Sequence, residues 1–182
     1  MPKVTYTAAK GLSQQSGEGV DFTQGDVNFR KKVISVTDTT KTLTAEDSGA
    51  LILLNNGTTA TTVTLPAGST IGTGCCFTFV PLSNNTGGTG PYAGYTIKRG
   101  TDGELIKGGF LVGSDTADNT DYIVSVATND TLHLSGETVA GSVGIIGTRV
   151  ECVWDGSSWQ AWGTMISAIN NPGSVTGSFE NT

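Results

Sequence analysis

The sequence predicts an all-β protein: an antiparallel β-sandwich or jelly-roll-like domain with an extended N-terminal arm. Three observations lead there. Gly and Thr are heavily used, at 26 and 29 of 182 residues, while the apolar share is only 36%. Thr is β-branched and half-polar, so it suits a pleated surface with one wet face, and Gly serves the turns. Short strand-like runs recur at roughly 8–15-residue intervals with Asn, Asp, Gly and Pro between them. No long window repeats its apolar positions at the helical period.

Residues 1–32 read as the arm. A short alternation at Val4-Thr5-Tyr6-Thr7 gives way to polar, Gly-punctuated chain and ends in the basic triplet Arg30-Lys31-Lys32. Residues 33–164 read as the β domain and 165–182 as a loose tail. Within the domain, Val33–Thr37 and Lys41–Thr44 precede a turn at Asp47-Ser48-Gly49. The continuous apolar run Ala50–Leu54 suits a buried strand. Asn55-Asn56-Gly57 is a turn, Thr61–Leu65 alternates with Val63 and Leu65 inward, and Cys75–Val80 places Cys75, Phe77 and Phe79 on one face. Ser83–Gly94 and Gly113–Asn119 read as loops, and Tyr95–Lys98, Leu105-Ile106 and Thr131–Leu134 as further strand pieces. Asp121–Ala127 is expected to turn Tyr122, Val124 and Val126 to one face. Val143–Trp154 and Ser157–Gly163 form a hairpin across Asp155-Gly156, a strong short-range signal. On a regular second strand, Trp159 and Trp162 fall on opposite faces.

Composition excludes several functions. The chain is sparsely charged (14%) and carries a net charge of −6, so it lacks the basic stripe of a nucleic-acid binder. Cys75, Cys76 and Cys152 form neither a disulfide framework nor a zinc spacing and read as small buried hydrophobes. The N-terminus lacks a signal-peptide core and no apolar run is long enough to span a bilayer, so the expectation is a protein made in the cytoplasm with no membrane partner.

The search for chemistry points away from an enzyme. The single histidine, His133, alternates with Leu132 and Leu134, which predicts a solvent-facing side chain rather than a catalytic base. No nucleophile elbow, phosphate loop or zinc-protease motif occurs. Paired carboxylates could act on glycans, but Asp38, Asp102, Asp130 and Asp155 all stand in turn contexts. Asp115, Asp118 and Asp121 recur every third residue, unlike the alternate-position ligands of an EF-hand loop, and read as solvated acids. No cofactor or metal is expected.

The stretch from Thr42 to Gly163 resembles a recurrent β-rich module of tailed-phage virion proteins. The likeness lies in the order Leu43-Thr44-Ala45-Glu46-Asp47-Ser48-Gly49, Val63-Thr64-Leu65-Pro66, the aromatic strand Gly74–Val80, and the closing Trp154-Asp155-Gly156-Ser157-Ser158-Trp159. Thr7–Leu12 followed by Gly17-Glu18-Gly19-Val20 is similar to the opening of small structural proteins of marine cyanobacterial phages. The resemblance implies a head decoration (cement) protein on the outer surface of the virion head, with the major capsid protein as partner and a homotrimeric state. Interface residues expected on this reading are Tyr6, Lys10, Leu12, Phe22, Phe29, Arg30 and Lys31 of the arm, with Trp154, Trp159 and Trp162 of the hairpin. The alternatives are a fibre or receptor-binding module that recognises a host glycan and a glycan-cleaving tailspike.

Overall fold

A computed structural model of the chain describes residues 4–7, 11–14, 31–85, 94–101, 103–114, 120–125, 128–134, 144–167 and 179–180. The chain divides into two units, Met1–Arg30 and Lys31–Thr182. In the first, β1 (Val4–Thr7) and β2 (Gly11–Gln14) pair antiparallel with Tyr6 opposite Leu12. The expected extended arm thus contains a hairpin.

The second unit holds β3 (Val33–Val36), β4 (Thr40–Thr42), β5 (Leu51–Leu54), β6 (Thr61–Thr64), β7 (Cys76–Pro81) and β8 (Tyr95–Lys98). They are followed by β9 (Ile106–Ser114), β10 (Thr120–Val124), β11 (Thr131–Leu134), β12 (Arg149–Trp154), β13 (Trp159–Ser167) and β14 (Phe179–Glu180). These strands make two sheets. One has seven strands in the order β10-β9-β13-β12-β7-β5-β3, and the other has five in the order β14-β11-β8-β6-β4. Among the described residues, helix is confined to 3-10 turns at Ala45–Asp47 and Gly68–Thr70.

Both sheets are mixed, which corrects the antiparallel expectation. β3, β5 and β7 run parallel, as do β4, β6 and β8, and β13 lies parallel to β9. From β3 to β8 the chain leaves one sheet for the other at every connection. Strands that return to the same sheet therefore point the same way. Asn-, Asp- and Gly-rich connections serve such crossings as readily as they serve hairpins.

Residues from both sheets share one hydrophobic cluster. Ile52, Leu54, Phe77, Phe79, Phe110 and Val150 enter it from the larger sheet, and Val63, Tyr95, Ile97, Leu132 and Leu134 from the smaller. The Phe110 and Phe179 rings meet between the sheets at 5.5 Å. Each fully buried side chain of this size contributes roughly 1.5–3 kcal/mol by leaving water. Tyr95 is buried with its polar end satisfied: its hydroxyl donates to Leu54 O (3.1 Å) and accepts from Asn56 N (3.0 Å).

Several sequence expectations change. The Leu105-Ile106 fragment is the start of the nine-residue β9, hidden by Gly108-Gly109. Gly108 and Gly163 both have φ of 144°, and a Cβ at either would run into a backbone carbonyl, of Ala161 or Arg149 respectively. In β10, Tyr122 and Val124 share one face as expected, and that face is the exposed one, while Ile123 packs on the core. β13 runs on to Ser167 and Phe179–Glu180 adds a strand to β11, so the presumed tail contributes to both sheets. His133 is buried, not solvent-facing, and its Nδ1 shares a 3.1 Å hydrogen bond with Thr96 Oγ1.

Candidate functional site

The two sheets turn very different faces away from the core. In the five-stranded sheet, residues that alternate with the core positions are Thr40, Thr42, Thr62, Thr64, Thr96, Lys98, Thr131 and His133. That face is polar throughout; it is exposed at Thr40, Thr42 and Lys98, whereas Thr131 and His133 on β11 are buried.

The seven-stranded sheet departs from this rule. Cross-strand register places Val124, Gly109, Trp162, Glu151, Thr78, Leu51 and Val33 in one row across the sheet. The next row is Tyr122, Leu111, Thr164 and Arg149, with Val80 and Leu53 nearer β3. Both rows lie on the side opposite Phe110, Ala161, Val150, Phe79 and Ile52, so they face outward. Within them Tyr122 is 63% exposed, Val124 57%, Leu111 51% and Trp162 44%. Register makes Tyr122 and Leu111 a cross-strand pair and sets Trp162 beside Gly109. The Tyr122 phenol lies over Gly109, where a Cβ would collide with it.

β5 explains why the anomaly is built in. Leu51-Ile52-Leu53-Leu54 puts Ile52 and Leu54 in the core and Leu51 and Leu53, half-buried, on the outer face. A strand apolar on both sides belongs to a sheet with something on both sides. Contiguous exposed apolar patches of this kind mark interaction surfaces. Charges on this face are Lys107, Arg149 and Lys31, against Glu151, among the residues whose side chains are described. Lys31 Nζ donates to Thr78 Oγ1 (3.2 Å) and Arg149 pairs with Glu151 (2.5 Å). The face is thus relatively basic on a chain of net charge −6.

The expected interface residues separate on this geometry. Trp154 and Trp159 are core residues, which corrects their placement at an interface. Their rings stand 5.6 Å apart, and Trp159 stacks 5.8 Å from Phe77. Trp162 points the other way, onto the outer face. Lys31 lies across that face, whereas Lys10, Phe22, Phe29 and Arg30 fall outside the described residues. For Tyr6 and Leu12 only the backbone pairing is described. Tyr122, Leu111 and Val124 were missed as site residues, because alternation shows that two faces exist without saying which is wet.

The Trp-Asp-Gly-Ser-Ser-Trp motif is a brace for the hairpin. Asp155 Oδ1 accepts from the main-chain amides of Ser157 (2.7 Å) and Ser158 (2.8 Å). Its Oδ2 accepts from Ser158 Oγ (3.1 Å) and Gln160 Nε2 (2.7 Å). The amides of Ser158 and Ser157 hold its carboxyl well below the usual carboxylate range. Other acids are braces too. Asp130, fully buried, pairs with Arg99 at 2.9 Å, and Glu104 accepts from Gly68 N at 2.5 Å, at the start of a 3-10 turn. Asp47 caps its own turn by accepting from Thr44 N (3.0 Å) and Lys32 Nζ (2.5 Å), and the Lys32 bond is the main reason its carboxyl is lowered.

The reactive side chains are likewise committed to structure. Burial pushes the Cys152 thiol up to about 12, and it raises that of Cys75 as well. A shallow groove of about 440 Å³ beside β4 is lined by Thr42, Thr44, Leu65, Pro66 and neighbours, and no titratable side chain lines it. Asp115 and Asp118 lie outside the described residues, and the Asp121 side chain is not described. Among the described residues, no group of three or more His, Cys, Asp or Glu side chains is placed to hold a metal ion. Comparison with protein-family models, with characterised proteins and with solved structures finds no match for this chain.

Proposed function

We propose that the protein is a non-enzymatic structural component of a tailed-phage virion, a decoration protein of sandwich-like layering that binds the outer surface of the head. On this reading the outer face of the seven-stranded sheet is the surface laid against the major capsid protein lattice. The observation that supports it is the asymmetry of the two sheets: one outward face is polar, and the other exposes Leu111, Tyr122, Val124 and Trp162 together.

Size fits a protein partner better than a small ligand. Seven strands at about 4.8 Å spacing give a face roughly 30 Å across, and strands of mostly four to nine residues at about 3.3 Å each make it roughly 20 Å deep. Its area of about 600 Å² approaches the ~800 Å² per side of a standard protein interface. Burying the exposed parts of Trp162 and Tyr122 removes roughly 200–250 Å² from water, about 5–6 kcal/mol before association costs. Trp162→Ala is therefore expected to weaken capsid binding by about 30-fold, the size of a hot-spot loss. Co-sedimentation with undecorated capsids tests this, and unchanged binding would remove the support.

Trp162 and Tyr122 flanking Gly109 favour one second reading, an aromatic platform for a host glycan. Glycan-array binding that disappears in Trp162→Ala, with no binding to capsids, would establish it instead.

A further inference from the structure

A sheet has two edges, and edge strands must be guarded against pairing with other chains by brevity, charge or cover. Three of the four edges of the seven- and five-stranded sheets carry such a guard. β4 is three residues long with Lys41 at its centre, and Lys41 pairs with the core-facing Val63, so it is an inward-directed charge on an edge. β14 has two residues, one of them Glu180, and β10 contains Asp121. β3 differs: its sequence is Val-Ile-Ser-Val, without charge or proline, and none of the described strands pairs with its free side.

The hydrogen-bonding groups on that free side follow from the ladder. Lys32 O accepts from Leu51 N (2.8 Å) and Val36 O from Asn55 N (2.9 Å), so the even-numbered residues bond to β5. In a parallel pair the alternate residues point their amides and carbonyls the other way. Val33 and Ser35 accordingly present theirs outward, and both side chains are exposed.

We propose that the free edge of β3 pairs antiparallel with β3 of a second copy of this chain about a two-fold axis. Val33 of each copy then stands opposite Ser35 of the other, and the two pairs exchange main-chain hydrogen bonds in both directions. Charge complementarity selects this occupant. Lys31 and Lys32 precede the strand and Asp38 follows it, so antiparallel pairing brings the basic end of each strand to the acidic end of the other, with Lys32 diagonal to Asp38. Asp38 and Lys31 are exposed, and the Lys32 side chain is 52% exposed. The pairing fuses the two seven-stranded sheets into one and joins their apolar outer faces. It gives two-fold symmetry where the resemblance to decoration proteins implies a trimer, and it does not rest on what the outer face binds.

The test is the oligomeric state of the full-length protein by light scattering and sedimentation equilibrium, for wild type, Ser35→Pro and Asp38→Lys. Proline is tolerated on an edge strand where the lost amide points away from the sheet, so Ser35→Pro keeps the β3–β5 ladder. The expected result is a wild-type dimer, a dissociation constant raised about 100-fold or more in Ser35→Pro from the amide lost twice per dimer, and a salt-sensitive weakening in Asp38→Lys. Circular dichroism and thermal unfolding of the variants should match wild type; if Ser35→Pro unfolds, Asp38→Lys decides. A wild-type monomer at millimolar concentration, or a dimer or trimer indifferent to Asp38→Lys and to a folded Ser35→Pro, overturns the proposal.

Discussion

Replacing Asp155 by alanine removes the carboxylate on which the turn between β12 and β13 is organised. Asp155 accepts from Ser157 N (2.7 Å), Ser158 N (2.8 Å) and Ser157 Oγ (2.9 Å) at one oxygen, and from Ser158 Oγ (3.1 Å) and Gln160 Nε2 (2.7 Å) at the other. The hydroxyls and the amide side chain can turn to water, so the two main-chain amides set the loss. The carboxylate is exposed, and solvent screens part of each bond. About 1–2 kcal/mol is expected, as for a lost helix cap, which is a melting shift of about 3–6 °C at this chain length.

The pH dependence of that loss has a definite sign. The folded carboxyl sits below its unfolded value, so its contribution is complete above about pH 4 and declines as pH falls toward the folded value. Urea unfolding of wild type and Asp155→Ala at pH 7 and near pH 2 measures both quantities. The gap between the two proteins should be widest at neutral pH and narrow in acid. A gap under about 0.3 kcal/mol at pH 7, or one that does not narrow in acid, refutes the brace.

Two further substitutions separate core from surface. Trp159→Ala empties a site against Phe77 and Trp154 and should cost about 3–5 kcal/mol, whereas Trp162→Ala should change unfolding free energy by no more than about 0.5 kcal/mol; equal effects would contradict the assignment of faces. Asp130→Ala leaves the Arg99 guanidinium without its buried carboxylate and should cost about 2–4 kcal/mol, with most of it recovered in the double variant Arg99→Met, Asp130→Leu. A double variant no more stable than Asp130→Ala alone would count against that pairing.

Much of the β domain is legible in the sequence, for reasons that are local. The 154–159 hairpin follows from Asp-Gly between two alternating runs, and Trp159 and Trp162 fall on opposite faces as a regular strand requires. Parallel pairing is not legible, because the connections 37–39 and 55–60 cross between sheets with the same residue types that close hairpins. β9 was obscured because Gly108-Gly109 looks like a break, yet those glycines are there to admit the Ala161 carbonyl and the Tyr122 ring. Tyr122 and Val124 share one face, as alternation predicts, but alternation alone does not say that this face is the exposed one. On the seven-stranded sheet both faces carry large apolar residues, so period-two alternation loses its direction. The run Leu51–Leu54, apolar at every position, was the signal that could have revealed it.

The central claim is that this outer face is where the protein works. On the proposed virion role, its most direct test is co-sedimentation of the 182-residue chain with undecorated phage capsids, comparing wild type with the double variant Leu111→Asp, Trp162→Lys. Saturable binding by wild type, lost in a variant whose thermal unfolding is unchanged, is the predicted result. Equal binding by the two proteins would contradict it.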